Sequence, residues 1–224
     1  MRSAVHFLPI LTTLFAAFFA PQLFRRWGAR RPSPHLFWWG LGVALYGAGT
    51  VTESLTTLFG WHAGVFRAWY ITGALLGGAP LAQGTAYLLF SKRTADRLTA
   101  LRLAVVGVAT VGVLLSPIDL SLVEQYRLSG RVLQWQWVRT FTPFINIYAF
   151  LVLVGGAAVS AWRYARRPGM ERRTLANIWI ALGGLLPGIG GTFTRFGHVE
   201  VLYVTELIGL VFIYIGYRTA TQPD

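Results

Sequence analysis

The chain has 224 residues, of which 54% are hydrophobic and 12% charged, with a mean hydropathy of +0.53. That is too little charge to cover an ordinary soluble domain. The net charge of +12 is carried in short runs between apolar stretches and forms no continuous basic face, which argues against a nucleic-acid partner. There is no cysteine, so disulfides, thiolate catalysis and thiolate metal sites are excluded.

Seven apolar stretches follow one another, at roughly 4–24, 35–59, 66–90, 98–118, 139–162, 174–194 and 199–217. A bilayer core of ~30 Å needs ~20 mostly apolar residues per spanning helix, and each stretch meets that length. The expectation is an all-α polytopic membrane protein, a single seven-helix domain over 1–224. The first stretch has the length of a signal peptide, but Phe18-Phe19-Ala20 is a poor cleavage site and Arg25 and Arg26 follow at once, so it reads as a retained helix.

Basic residues set the expected orientation. Arg25, Arg26, Arg30 and Arg31 follow helix 1; Lys92, Arg93 and Arg97 follow helix 3; Arg163, Arg166, Arg167, Arg172 and Arg173 follow helix 5; Arg218 lies in the tail. Arg2, Arg67, Arg127, Arg131, Arg139 and Arg195 fall on the other side. This predicts a cell (inner) membrane protein with an external N-terminus and a cytoplasmic C-terminus. The longest external segment, roughly 119–138, carries Trp135 and Trp137, suited to the headgroup level. It reads as an interfacial linker or as a lid.

Helix 2 carries Trp38, Leu41, Gly42, Leu45, Gly47 and Gly49; helix 6 carries Trp179, Leu182, Gly183, Leu186, Gly188 and Gly190 at the same spacing. Arg31 and Arg172 each precede the tryptophan by seven residues. Phe59-Gly60 matches Phe196-Gly197 after a four-residue gap, and one further one-residue gap brings Gly73 onto Gly209. The pattern suggests a parallel internal repeat, with 1–90 and 139–217 as two three-helix copies and 98–118 as the linking helix. Pro21-Gln22 lies at the cytoplasmic end of helix 1. With the three-plus-one-plus-three plan, it resembles the SWEET and PQ-loop transporter families. The second copy departs from their pattern, with Ser160-Ala161-Trp162 where a second PQ would stand. The resemblance implies movement of a small solute through the helical bundle.

Two carboxylates fall inside apolar stretches, Glu53 in Val51-Thr52-Glu53 and Glu206 in Val204-Thr205-Glu206. Ionisable groups at such positions are costly and mark candidate functional sites. Both are expected ~10 Å below the external surface at 1.5 Å per residue. Arg67 and Arg195 stand across the short turns as their expected ion partners. Tyr70 and Asn146 are the next candidates to line the same polar cavity, ahead of Thr50, Thr52 and Gln83. The candidate ligand-binding set is therefore Glu53, Arg67, Tyr70, Asn146, Arg195 and Glu206.

Pro80, Pro143 and Pro187 are expected to interrupt helices 3, 5 and 6. His62 and His198 lie in corresponding external turns, but none of the four histidines has the spacing of a helical metal site, and neither metal nor cofactor is expected. No phosphate-binding loop, dinucleotide fingerprint or nucleophile elbow is present, so no reaction is named. The leading expectation is a small-solute transporter or facilitator with an externally open cavity. The alternatives are a seven-helix sensor or receptor, a membrane-embedded enzyme, and an accessory subunit of a membrane complex. The lipid bilayer and a small solute are the expected partners, with a homo-oligomer through glycine-rich faces.

Overall fold

The computed structural model describes residues 4–194 and 196–222. Nine α-helical segments group into seven rods. A short 3-10 turn leads into α1 (Leu8–Ala29), followed by α2 (Pro34–Phe59). The third rod is composite: α3 (Ala63–Trp69), a π-helical turn (Tyr70–Leu75), a break at 76–78, then α4 (Ala79–Leu89). After α5 (Lys92–Leu115), the chain crosses an irregular segment holding three 3-10 turns. The fifth rod joins α6 (Phe141–Ala149) to α7 (Gly156–Ala165) through a second π-turn (Phe150–Gly155). The last two rods are α8 (Glu171–Thr194) and α9 (Val199–Thr221).

Five helical stretches are long and apolar enough to cross a membrane: Ala4–Ala29, Lys92–Leu115, Gln136–Ala165, Glu171–Thr194 and Val199–Thr221. Their outer faces carry exposed Leu14, Phe18, Leu103, Leu115, Phe144, Leu151 and Leu182. Apolar surface on that scale fits contact with lipid. The other two rods differ for physical reasons. The third is interrupted at Gly77-Gly78. α2 is the most enclosed rod, and its buried positions include Thr50, Thr52, Glu53, Ser54, Thr56 and Thr57, which lower its hydropathy.

Six rods close a ring in chain order: α1, α2, α3–α4, α6–α7, α8, α9 and back to α1. α5 stands outside, against α4, α6 and the first π-turn. Glycines set the close seams. A Cβ on Gly42 would lie 2.8 Å from the Leu81 backbone nitrogen, and one on Gly49 would lie 3.0 Å from the Gly73 Cα. Across the ring, a Cβ on Gly183 would meet the Gly209 carbonyl at 2.6 Å, and one on Gly190 would meet Leu202 Cα at 2.7 Å. Without side chains at these points, backbones approach and pack by dispersion, the contact available to helices in lipid.

One half of the ring's interior is filled by Phe19, Leu23, Trp39, Val43, Leu81, Leu153, Ile180, Ile213 and Tyr217, drawn from all six rods. The void among them is about 20 Å³, room for one water. Of the three prolines, Pro80 opens α4 immediately after the break, Pro143 lies in the first turn of α6, and Pro187 sits inside an unbroken α8. Gln22 lies within α1, and its Nε2 donates to the Phe18 carbonyl one turn back at 3.1 Å.

The segment after α5 folds over one end of the ring. Val132, Leu133 and Val138 are buried beside Phe66, Tyr70, Val106 and Val113. The Arg127 Nη2 donates to the Thr194 carbonyl at the end of α8 at 3.0 Å, and Gly60, at the end of α2, lies beside Gln125 and Tyr126. The Asp119 carboxylate accepts from the Ser121 amide (3.0 Å) and hydroxyl (2.6 Å), and these bonds hold it below the usual carboxylate range. Its part in this turn is present above the ordinary carboxylate pKa and is lost as pH falls through the lowered value. Trp135 stacks on Trp137 with ring centroids 6.0 Å apart, both exposed.

Replacing Gly42 or Gly183 with Val is expected to lower stability by about 1–3 kcal/mol through overpacking. Gly107→Ala, where an added Cβ meets nothing within 4 Å, should be neutral or stabilise by up to about 1 kcal/mol. Thermal unfolding in detergent separates the two classes; equal midpoints would mean that the glycine seams are not closely packed.

Candidate functional site

α2 faces the ring's interior because its polar stripe has no partners in lipid. Most of that stripe is satisfied locally. Thr50 and Thr52 donate to the carbonyls of Gly47 and Gly49, and Ser54 and Thr56 donate to those of Thr50 and Thr52. Thr50 also shares a 2.9 Å hydrogen bond with Thr13 of α1. The threonines beside Glu53 are therefore occupied by their own helix.

Glu53 is buried, with 4% of its surface exposed. Its Oε1 accepts from the Trp69 Nε1 at 3.0 Å. On its other side lies Glu206 of α9, close enough for the two carboxyl groups to interact. Oε2 of each acid is buried with no hydrogen-bond partner among the described residues. A carboxylate only accepts, so two carboxyl groups buried side by side repel each other unless one holds a proton. The two acids stand on α2 and α9, the rods on either side of α1 in the ring. Tyr46, two turns before Glu53 on the same face of α2, donates to the Glu206 backbone carbonyl at 3.1 Å. Tyr203, one turn before Glu206, is buried, and its ring meets the edge of His6, whose Nε2 lies 3.7 Å from Glu200 Oε1.

Of the candidate site residues, the structure brings together Glu53 and Glu206. The expected ion pair between Glu53 and Arg67 is not formed. Trp69 faces Glu53, and two residues along a helix turn ~200° about its axis, so Arg67 looks the other way. The Arg67 Nη2 donates to the Ser116 carbonyl at 3.0 Å, and its Nε is buried with no partner. Tyr70 also turns away, sharing a 3.1 Å hydrogen bond with Thr142, with its ring beneath Gly130. Asn146 is exposed on α6 between exposed Phe144 and Ile147. Arg195 lies outside the described residues.

Trp69, Tyr46 and Tyr203 were missing from the sequence-based set. Tyr46 and Tyr203 had a usable signal, seven and three residues before an intramembrane acid and hence on its face. Trp69 had none, because the orientation of α3 depends on the turn at Gly60–His62. The His62 ring nitrogen caps α3 by accepting from the Gly64 amide at 3.1 Å. Among the described residues, no group of three or more His, Asp or Glu is placed to hold a metal.

Compared with models of known protein families and with curated proteins, the chain matches none.

Trp69→Phe removes the donor to Glu53 Oε1 and should cost about 1–3 kcal/mol, read by thermal unfolding. A proton held by the acid pair would have a direct infrared signature. Wild type at neutral pH should show a carboxylic-acid carbonyl stretch that is absent from the Glu53→Gln, Glu206→Gln double variant. A wild-type spectrum with carboxylate bands alone would mean that the pair holds no proton.

Proposed function

We propose that this chain crosses the membrane seven times, as two parallel three-rod copies joined by α5, with its N-terminus outside. In this reading it moves a small solute through the six-rod ring, coupled to the proton held between Glu53 and Glu206. The observation that carries the proposal is that carboxyl pair. Two acids share a site inside the bundle with no described cation beside them, and they sit on rods of opposite copies. Moving the halves apart separates the acids, so their protonation and the spacing of the halves are linked. Intramembrane acids without ion partners are characteristic of proton relays and coupled carriers.

The ring supports the reading in two further ways. Gly42 and Gly183 hold corresponding places in the two copies, as do Gly49 and Gly190, and each faces the rod that follows it in the ring. The apolar packing around Val43, Leu81, Leu153 and Ile213 fills the ring below the acids, while the 116–140 segment covers its end above them. A carrier with both routes closed is occluded, an obligatory stage of alternating access.

The test is reconstitution into liposomes with an internal pH dye and a panel of small neutral and charged solutes. The expected outcome is solute-dependent proton movement that is largely lost in Glu53→Gln and in Glu206→Gln. Solute binding in detergent without flux would replace the carrier with a sensor. Neither binding nor flux, with both variants merely less stable, would leave the acids as packing elements of a subunit.

A further inference from the structure

A second buried charge lies away from the acid pair, at the seam between α5 and the ring. Arg102, three turns into α5, is 7% exposed. Its guanidinium carbon stands 4.5 Å from the centre of the Trp38 ring of α2. That contact uses the face of the guanidinium. Its N–H bonds lie in the plane, and none of Nε, Nη1 and Nη2 has an acceptor among the described residues, although all three are buried.

The neighbouring polar groups are already engaged with one another. The Tyr148 hydroxyl donates to Gln83 Oε1 at 2.8 Å, and the Gln83 Nε2 donates to the Ala95 carbonyl at 3.0 Å. The nearby carboxylate on α5, Asp96, takes the Tyr87 hydroxyl on Oδ1 and Lys92 Nζ on Oδ2, each at 2.7 Å. The phenols of Tyr87 and Tyr148 lie near the guanidinium, and neither forms a hydrogen bond with it. A buried cation with a planar fork of empty donors is the complement of an oxyanion.

We propose that Arg102, backed by Trp38, anchors a phosphate-binding site at the seam of α2, α4, α5 and α6. The two sources of that chemistry are a membrane phospholipid headgroup and a free phosphate. The position suits both. Side chains on a helix lean toward its N-terminus, which here starts at Lys92 and Arg93, at the end of the bundle where the basic runs gather. Leu101 and Leu103 on either side are exposed at 63% and 54%, so acyl chains can lie along α5 beside the site. The site is separate from Glu53 and Glu206 and does not depend on the transport reading.

The experiment uses delipidated full-length protein in nonionic detergent, as wild type, Arg102→Gln and Arg102→Lys. One arm adds dioleoylphosphatidylglycerol and the other inorganic phosphate; native mass spectrometry counts bound molecules and thermal unfolding reads stabilisation. The expected result is one bound molecule and a rise in Tm of about 4 °C or more in wild type, absent in Arg102→Gln. Arg102→Lys keeps the charge without the fork and should bind more weakly; it serves as the test variant if the Gln protein does not fold. A response to phosphatidylglycerol alone identifies a lipid headgroup. A response to inorganic phosphate identifies a site for the free anion. If neither arm stabilises wild type, or the variants respond as fully as wild type, the proposal is overturned.

Discussion

A bilayer offers no hydrogen-bond partners, and that constraint organises this molecule around α2. The helix carries a stripe of Thr, Ser and Glu that would cost several kcal/mol per unsatisfied group in hydrocarbon. The stripe can only face protein, so α2 is wrapped by α1 on one side and the third rod on the other, with α9 reached by Tyr46. Four of its hydroxyls return to carbonyls of the same helix. The one group that cannot be satisfied in that way is Glu53, whose short side chain reaches outward to Trp69 and Glu206. The acid pair thus follows from where α2 must lie.

Glycine placement then decides how tightly the ring closes. Gly42 and Gly49 admit the third rod against α2, and Gly183 and Gly190 admit α9 against α8. α1 meets α9 through larger side chains, Phe15 and Phe19 against Tyr214, whereas the third and fifth rods meet at Gly78 beside Ala149 and Gly156 beside Leu89. α5 takes no part in closing the ring; it meets it through buried Val106, Ala109 and Val113 and, nearer its start, through a polar patch that includes Arg102, Tyr87 and Gln83.

Hydropathy made the rods legible in the sequence, because apolar length is a direct demand of the bilayer. Their ends extended by a few residues beyond the apolar stretches, as at Arg25 and Arg26, which lie within α1. The two acids were legible for the same reason, as charges where charges are costly. Their partners were not. Pairing Glu53 with Arg67 rested on proximity along the chain, whereas side-chain direction depends on helix phase, and the phase of α3 is set by the turn at Gly60 (φ 86°). The mutual contact of Glu53 and Glu206 is a tertiary event between residues more than 150 apart in the sequence, and no local pattern encodes it. The burial of Val132, Leu133 and Val138 was equally hidden, because three short 3-10 turns lack the periodicity that reveals a helix.

The π-turn at Tyr70–Leu75 bears on the proposed correspondence of the two three-rod copies. A π-turn accommodates one residue more than the α-helical turn it replaces. The proposed pairing of the third rod with α9 needs a gap of one residue between Gly60 and Gly73, and α9 is α-helical throughout. That pairing sets Tyr70 on Glu206, so the surplus residue precedes the widened turn, which begins at Tyr70. An insertion in one copy would be absorbed as a local bulge, leaving Gly73 against Gly49 and the rod beyond it still able to pack on α2. In that account the bulge is the physical trace of a length difference between two once-identical halves.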